Sequence, residues 1–388
     1  MKSSDRGCIV FVSPGPDIAA PTSGHGARLH HLSKGLADTW TVIALVPEGT
    51  TTESIGWIDD VYAFDQWSAP FLTDLNPSFI RALWRAFDDH EIDIVHLSQG
   101  VCGARAITTV RRSDARVVYT AQNVEAELAQ DFVNPELPAH KRILGPRLIP
   151  LIERATVACA DLITTVSEND RESFIARYGI DRNRIEAIPT GTQSIDQEEL
   201  ESPRTVRERL GIDPSVPLAV FHGSYAHPPN EEAVRLIAEE ITPKLRERGL
   251  EIQFLLVGKG IPEVGGENVM VAGFVDDLLS VLNAADFAVV PLRHGGGTKT
   301  KMFDYISLGL PVVTTCKGAE GIELVDGDHG IITEDVDEQF LSAVAELAQS
   351  ETTRQQLGEQ MKTLAETLTW SRSVDRLDRF YRENLSSE

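Results

Sequence analysis

Residues 287–315 read FAVVPLRHGGGTKTKMFDYISLGLPVVTT, a glycine-rich loop between two short apolar runs. The runs Phe287–Val290 and Val312–Thr315 are rich in β-branched residues and have the length of buried strands. Between them, Lys299–Leu308 has the pattern of a helix. A strand, a helix and a second strand in this order predict a parallel strand pair joined by a helical crossover.

The glycine triplet Gly295–Gly297 stands directly before this predicted helix, where it lets a ligand approach the backbone closely. Free N–H groups and the helix dipole attract an anion to such a helix start. Lys299 and Lys301 add two of the nine lysines of the chain at the same place. We therefore predict a phosphate-binding loop, in which Thr298 either caps the helix or bonds an oxygen.

Asp304 follows Lys301 after about one helical turn and shares its helix face. A carboxylate beside a phosphate site is suited to bonding sugar hydroxyls. A glycine triplet alone would more simply be a tight strand–helix turn with solvated lysines. The lysines, Asp304 and the run Gly309–Val313 together favour the ligand site. The segment has neither the P-loop signature nor the Gly-x-Gly-x-x-Gly of dinucleotide-binding proteins.

The same alternation of apolar runs and amphipathic stretches extends along the whole chain. Further strands are predicted at Cys8–Val12, Thr41–Val46, Ile94–Leu97, Arg116–Thr120, Leu162–Val166, Ile185–Ile188, Leu218–Phe221 and Ile252–Val257. Further helices are predicted at Ala27–Leu36, Pro77–His90, Val101–Arg111, from Ser167 to Gly179, Asn230–Arg248 with Asn230 as its cap, Asp277–Asn283, and through most of Glu334–Glu388.

Strands that are continuous apolar runs separated by helices predict parallel sheets covered on both faces. A polar, turn-rich stretch at 190–217 divides them into two series. We predict two doubly wound, Rossmann-like α/β domains, the first covering 1–195 and the second beginning at 196. Since open α/β sheets bind ligands at the carboxyl ends of their strands, we expect the domains to face a cleft.

Composition excludes several classes of protein. The length of 388 residues favours two domains, and 42% hydrophobic residues are normal for a globular chain. A net charge of −23 opposes binding to nucleic acid. The sequence has no apolar run long enough for a membrane span and no secretory signal, so we expect a cytoplasmic protein. The four cysteines lack metal-ligand spacing and are expected to be reduced thiols.

The block Gly295–Gly321 resembles the donor-site block of group 1 glycosyltransferases, the retaining family 4 of the GT-B fold. The resemblance continues in Phe221–Asn230, Leu255–Gly260, Ala272–Asp277, Ala160–Glu168 and Ile188–Gly191, and in Trp370 at the start of a final amphipathic helix. It implies a C-terminal donor domain over 196–370 and a terminal helix over 371–388 that packs back on the N-terminal domain.

The resemblance also implies roles for residues of the donor domain, which would hold the nucleoside diphosphate of a sugar donor. Lys301 would contact the pyrophosphate, and Asp304 would bind ribose hydroxyls. Gly223 and Ser224 would line the pyrophosphate from the other side. The backbone at Gly273–Val275 would face the base.

In the N-terminal domain, Ser23–Arg28 is a second glycine loop before a helix and resembles the first loop of the family. The amides near Gly24 and Gly26 would then approach the donor, although a simple turn is the alternative. Gln122 stands where the family often has a histidine near the transferred sugar. A glutamine can bond a sugar hydroxyl but cannot act as a base.

The sequence departs from the family in the carboxylates. Gly296 stands where the first of two glutamates is often found, and the shorter Asp304 replaces the second. An arginine and a lysine that often follow the first donor-domain strand are replaced by His227–Asn230. Asp276 and Asp277 are interpreted as a helix start and not as a metal site, so we expect a metal-independent reaction without a cofactor.

Two further residues have open interpretations. His96 ends a predicted strand and either points into the cleft or is a packed histidine. Glu125 either contacts substrate or is an ordinary carboxylate at a helix start. The region Pro138–Arg154 mixes basic and apolar residues, and either rests on an anionic membrane as a peripheral contact or is a helix with one buried face.

These observations predict a glycosyltransferase of glycan biosynthesis, such as that of cell-envelope polysaccharide. It would move a sugar from a nucleoside-diphosphate sugar to a glycan or lipid-linked acceptor, with Lys301, the glycine loop and Lys299 stabilising the leaving diphosphate. A nucleotide-sugar epimerase of the same architecture and a catalytically weak nucleotide-sugar-binding subunit remain as alternatives.

Overall fold

The computed structural model describes residues 6–13, 15, 18–19, 24–52, 54–66, 76–98, 113–129, 139–225 and 227–385, with the backbone alone for 128 and 139–145. The predicted helix Val101–Arg111 lies outside these residues. The chain divides into two compact units, unit 1 with residues 1–191 and 370–388, and unit 2 with residues 192–369. The first boundary thus falls after Gly191 and not after residue 195.

Unit 1 is built on a seven-stranded sheet in the order β3-β2-β1-β4-β5-β6-β7, in which every pair is parallel. Its strands are β1 (Cys8–Val12), β2 (Thr41–Pro47), β3 (Asp60–Phe64), β4 (Ile94–Ser98), β5 (Arg116–Thr120), β6 (Leu162–Thr165) and β7 (Ile185–Ala187). β1 and β4 are buried throughout, because both faces of the sheet are covered.

The described helices of unit 1 lie between these strands and after unit 2. They are α1 (Gly24–Leu36), α2 (Pro77–Asp89), α3 (Glu125–Leu128), α4 (Ala139–Cys159), α5 (Glu168–Tyr178) and the C-terminal α14 (Trp370–Leu385), with a short 3₁₀ turn at Arg182–Arg184. Local sequence explains their ends. Ser167 caps α5 by accepting a bond from the Asp170 amide, and Gly179 ends it in the left-handed conformation.

Unit 2 has a six-stranded parallel sheet in the order β10-β9-β8-β11-β12-β13. Its strands are β8 (Leu218–His222), β9 (Gln253–Val257), β10 (Val269–Gly273), β11 (Phe287–Val290), β12 (Val312–Thr315) and β13 (Gly330–Thr333). Its helices are α6 (Pro203–Leu210), α7 (Pro228–Arg235), α8 (Thr242–Glu247), α9 (Leu278–Asn283), α10 (Lys301–Leu308), α11 (Cys316–Ala319), α12 (Glu338–Gln349) and α13 (Glu351–Thr367).

The predicted fold class is confirmed, since both units are doubly wound parallel α/β structures. The predicted helix Asn230–Arg248 is interrupted by a π-helical segment, Leu236–Ile241. Pro243 follows it and has no N–H group for a regular helical bond. Thr242, the residue after this segment, donates through its hydroxyl to the carbonyl of Ile237 at 2.7 Å.

The C-terminal helix α14 packs in unit 1. The ring of Trp370 stacks on His31 of α1 at 4.7 Å between centroids. The indole Nε1 of Trp40 donates to Asp378 at 2.5 Å, and the Ser373 hydroxyl donates to the carbonyl of Pro189 at 2.8 Å. These contacts, together with the burial of Tyr381, make α14 part of the core of unit 1.

Candidate functional site

The ammonium group of Lys301 is the centre of a buried cluster in unit 2. Lys301 is 8% exposed, and its Nζ donates to Asn230 Oδ1 at 2.7 Å. The same nitrogen lies 3.8 Å from the ring centroid of Phe221. Burial, and then the charge of Lys299, hold the pKa of Lys301 well below its usual value. The cation is therefore poorly solvated and is stabilised by a neutral amide and an aromatic face.

Gly223 makes room for this pair. A Cβ atom at Gly223 would lie 2.8 Å from Asn230 Nδ2 and 3.2 Å from Lys301 Nζ. The backbone continues this close packing, since a Cβ atom at Gly258 would lie only 1.8 Å from the Gly223 carbonyl oxygen. The amide of Gly258 in turn donates to the carbonyl of Gly273 at 2.8 Å. The carboxyl ends of β8, β9 and β10 thus meet at one edge beside Lys301.

Two other predicted residues follow at this edge. The carbonyl of Ser224 accepts a bond from Asn230 Nδ2 at 2.8 Å. Val275 is half-buried after β10, and between it and Gly273 the ring of Phe274 is 61% exposed. The Nζ of Lys259 lies 4.3 Å from the centroid of that ring. An exposed aromatic face with an adjacent cation therefore lies next to the segment predicted to face a base.

The glycine loop is closed by Lys299. Its ammonium donates to the carbonyls of Gly295, Gly296 and Gly297 at 3.1, 3.3 and 2.6 Å. Gly295 and Gly297 have φ of 102° and 67°, which favour glycine. Because the C=O and N–H of one trans peptide point in opposite directions, the N–H groups of residues 296–298 point away from Lys299. Lys299 thus lies on the carbonyl side of the loop, while its role towards the diphosphate stays a prediction.

A second loop packs against the glycine loop. Glu320 Oε2 lies 3.3 Å from Lys299 Nζ, and Lys317 Nζ bonds both oxygens of the same carboxylate at 3.0 Å. The Thr298 hydroxyl lies 3.5 Å from the carbonyl of Gly321, where a Cβ atom would lie 2.5 Å from that hydroxyl. Glu320 thus places a carboxylate next to the loop in which Gly296 replaces the carboxylate often found in the family.

Asp304 is oriented by a histidine. Its Oδ2 lies 3.0 Å from His222 Nε2, while His222 Nδ1 lies 2.9 Å from the Tyr305 hydroxyl. The backbone amide of His222 donates to the same hydroxyl at 3.2 Å, so the tyrosine proton faces Nδ1 and the imidazole proton faces Asp304. The Asp304 side chain is 29% exposed, so its second oxygen remains accessible to a ligand hydroxyl.

The helix ends here differ from the expected ones at three positions. Helix α10 begins at Lys301, not Lys299, and its cap position is Thr300 instead of Thr298. Asn230 does not cap α7, which has His227 at the cap position and proline at its start. The side chain of Asn230 instead bonds Lys301, because a tertiary partner for the buried cation outweighs a local cap.

In unit 1, the two predicted glycines lie within α1 and not in a loop before it. Gly24 and Gly26 belong to the first turn of this helix, which begins three residues before the predicted Ala27. Gln122 lies close to the same turn, with its Nε2 2.6 Å from His25 Nδ1. The structure therefore brings Gln122 together with the helix start that carries both glycines.

In unit 1, His96 is a packed histidine and Glu125 stands at a helix start, while a contact of Glu125 with substrate stays a prediction. His96 is buried, with Nδ1 2.5 Å from the Tyr381 hydroxyl and Nε2 2.8 Å from the Thr120 hydroxyl. Glu125 begins α3, and its amide donates to the carboxylate of the buried Glu153 at 2.9 Å. Glu153 also accepts a bond from the amide of Ala126 at 3.0 Å, so it acts as a remote cap for this helix.

Two absences hold for the residues that the structure describes. These residues contain no cluster of three histidine, cysteine or acidic side chains that could hold a metal ion. The Asp277 side chain accepts a bond from the Ser280 amide and caps α9. No helix in the described part of the chain is long and apolar enough to cross a membrane.

Sequence reasoning missed three functional candidates, His222, Asn230 as a lysine partner, and Glu320. A weak signal existed for His222, because it is the polar last residue of an otherwise apolar strand, at the end where ligands bind. Asn230 and Lys301 are separated by 71 residues, so no local spacing could have paired them.

Two family descriptions match the chain in succession. Residues 22–193 match "Glycosyltransferase Family 4", and residues 216–350 match "Glycosyl transferases group 1". A D-inositol 3-phosphate glycosyltransferase from Corynebacterium diphtheriae is 31% identical over 107 residues, which are 27% of this chain. The match spans only 25% of that relative's own length.

Solved structures are similar over nearly the whole chain. Sucrose-phosphate synthase from Thermosynechococcus elongatus has a TM-score of 0.76 at 16% identity, covering 99% of this chain and 100% of that chain. HepE from Anabaena in complex with UDP-glucose has a TM-score of 0.68 at 16% identity. The match covers 98% of this chain and 99% of that chain. At such identities the likeness shows the fold alone. With both family matches and this fold, the chain belongs to the group 1 glycosyltransferases of family 4, with the GT-B fold.

Proposed function

We propose that this protein transfers a sugar from a nucleoside-diphosphate sugar to a glycan or lipid-linked acceptor. Unit 2 holds the donor at the carboxyl edge of its sheet. The observation that carries the proposal is the buried ammonium of Lys301, bonded to the neutral Asn230 beside a glycine-lined strand end and a helix start. A cation without a carboxylate partner among the described residues, next to a helix start, is suited to a diphosphate.

The chemical step that these groups assist is departure of the nucleoside diphosphate. The bond between the anomeric carbon and the diphosphate oxygen breaks, and negative charge builds up on that oxygen. Lys301 and the N–H groups of residues 296–298 are fixed before the reaction, so they stabilise this charge without reorganisation. Because Lys301 is 8% exposed, its attraction for the leaving group is weakly screened.

The remaining donor contacts follow from the same edge. Asp304, held by His222, accepts hydrogen bonds from the ribose hydroxyls through its exposed oxygen. Gly223 and Ser224 line the diphosphate, and the base lies along Gly273–Val275 with Phe274 as a stacking surface. We propose a reaction without a metal ion, since the lysine and the helix start supply positive charge, and with retention of the anomeric configuration, as the family resemblance implies.

We also propose a peripheral membrane contact through α4 of unit 1. Three of its apolar side chains are solvent-exposed, Leu148 by 46%, Leu151 by 63% and Ile152 by 43%. They are spaced three and four residues apart, so they share one helix face. Arg147 and Arg154 are exposed on the same helix and suit anionic headgroups. A lipid-linked acceptor would be reached at such a surface.

The test is a donor screen with the full-length protein. Thermal shifts with UDP, GDP, ADP and their sugars identify the donor, which is then incubated with and without an acceptor mixture. We expect a new glycoside only when acceptor is present, with release of the nucleoside diphosphate. Conversion of the donor sugar to its epimer without acceptor would identify an epimerase. Thermal shifts with no turnover on any acceptor would identify a binding subunit.

A further inference from the structure

Arg28 of α1 carries a positive charge that no described residue neutralises. Its side chain is 2% exposed, and its Nε, Nη1 and Nη2 atoms all lack a hydrogen-bond partner in the described structure. Burial lowers the pKa of Arg28 to about 10, so the guanidinium is still charged at neutral pH. A buried charge is strongly unfavourable unless it is paired, which calls for an anionic partner from outside the protein.

The position of Arg28 in the fold is one where ligands bind. Helix α1 is the first described helix after β1, and β1 lies between β2 and β4 in the sheet. The chain order reverses there, and parallel α/β sheets bind ligands outside the strand ends at such a switch point. Ser98, the last residue of β4, is fully buried, and its hydroxyl also lacks a partner among the residues described.

Neighbouring groups leave the charge of Arg28 uncompensated. The charge of Arg28 contributes, after burial, to lowering the pKa of His96 to about 3, so this histidine is neutral. Among the described residues, only the Tyr381 hydroxyl acts to raise the pKa of Arg28, and burial keeps that hydroxyl protonated by raising its own pKa. His96 and Tyr381 are also bonded to each other, so their polar groups are already paired.

We propose that Arg28 and Ser98 form an anion site in unit 1 that binds a phosphate group of the acceptor. The planar guanidinium presents several donors in a fork that matches phosphate oxygens, and the serine hydroxyl adds another. The start of the thirteen-residue α1 favours the same charge. The assignment of this phosphate to the acceptor rests on the proposed transferase function. The phosphate site itself does not depend on that function.

The experiment measures phosphate binding to the full-length protein by calorimetry. The ligands are inorganic phosphate, a hexose 6-phosphate and UDP. The variants are Arg28→Met, Ser98→Ala, Lys301→Met and, as a control, Arg81→Met, which removes an exposed arginine of α2. Urea unfolding checks that each variant is folded. Ser98→Ala keeps the test decisive if Arg28→Met does not fold.

We expect Arg28→Met to weaken inorganic phosphate and hexose 6-phosphate at least tenfold, and Ser98→Ala to weaken them severalfold. Arg81→Met should bind both as the wild type does, whereas Lys301→Met should lose UDP. Unchanged phosphate affinity in Arg28→Met and Ser98→Ala would overturn the proposal. So would phosphate binding that is lost in Lys301→Met but kept in Arg28→Met. If Arg28 affected UDP alone, the anion would be the donor diphosphate, and the acceptor assignment would be wrong.

Discussion

The neutral Asn230 side chain bonds Lys301, whose Nζ donates to Asn230 Oδ1 at 2.7 Å. Its Nδ2 donates to the carbonyl of Ser224 at 2.8 Å. The side chain therefore fixes the lysine and the loop after β8 in one arrangement. Because Asn230 is uncharged, it positions the ammonium without neutralising it. The positive charge of Lys301 remains available for a ligand.

Replacing this amide by a carboxylate should remove the function of the lysine. Asn230→Asp would pair Lys301 with a charge in a buried place, so we expect affinity for the nucleoside diphosphate to fall at least tenfold, or about 1.4 kcal/mol. Calorimetry measures it. Gln349→Glu adds a negative charge at an exposed position of unit 2 and should leave affinity unchanged. Equal affinities in both variants would show that the neutrality of Asn230 is unimportant.

The lowered pKa of Lys301 predicts opposite pH trends for binding and stability. Diphosphate affinity should fall as pH rises through this pKa, well below 10.5, because the ammonium loses its proton. The folded lysine then binds a proton less tightly than the unfolded one. Between the two pKa values, the stability difference between wild type and Lys301→Met should therefore rise by about 1.4 kcal/mol per pH unit. Urea unfolding at several alkaline pH values checks the sign, and a falling difference would contradict it.

Asp304 should discriminate between riboses. A hydrogen bond to a charged group contributes about 1.5–3 kcal/mol, so the wild type should prefer a nucleoside diphosphate over its 2′,3′-dideoxy analogue by roughly tenfold or more. Asp304→Ala should bind both analogues equally. This comparison is internal to each protein, so a general loss of affinity does not affect it. If the variant kept the preference, the ribose would be bound elsewhere.

Neighbouring glycines of the loop provide a matched pair of variants. Gly295 has a φ of 102°, whereas Gly296 is not one of the described glycines with a positive φ. Gly295→Ala should destabilise the protein by roughly 1–2 kcal/mol and weaken nucleotide binding, because alanine is strained in that conformation. Gly296→Ala should change stability by less than about 0.5 kcal/mol. Thermal unfolding with and without nucleotide compares them, and equal effects would rule out backbone strain as the reason for the glycines.

The central strands could be predicted because they are buried on both faces and therefore have continuous apolar sequences. Strands β3, β10 and β13 were not predicted. They lie at sheet edges, where β3 and β10 are largely solvent-accessible and their sequences are correspondingly mixed. Isolated glycines were equally misleading in α1, where Gly24 and Gly26 are helical.

The site was predictable in its residues but not in their arrangement. The glycine triplet, Lys301 and Asp304 stand close together in sequence, and their chemistry indicates a diphosphate site. Lys299 turns into the loop, where it meets Glu320, and Lys301 turns into the core, where it meets Asn230. Both partners are far away in sequence. Arg28 gave no local signal, because only the packed structure shows that its charge is buried and unpaired among the described residues.

The most direct test of the account is the transfer rate of Lys301→Met with the donor identified by screening. We expect kcat/KM to fall by roughly 100-fold or more, since a preorganised donor to developing charge is lost. Lys244→Met removes an exposed lysine that pairs with Glu240, and it should retain wild-type kcat/KM. Full activity in a folded Lys301→Met protein would contradict the assignment of Lys301 to the leaving diphosphate.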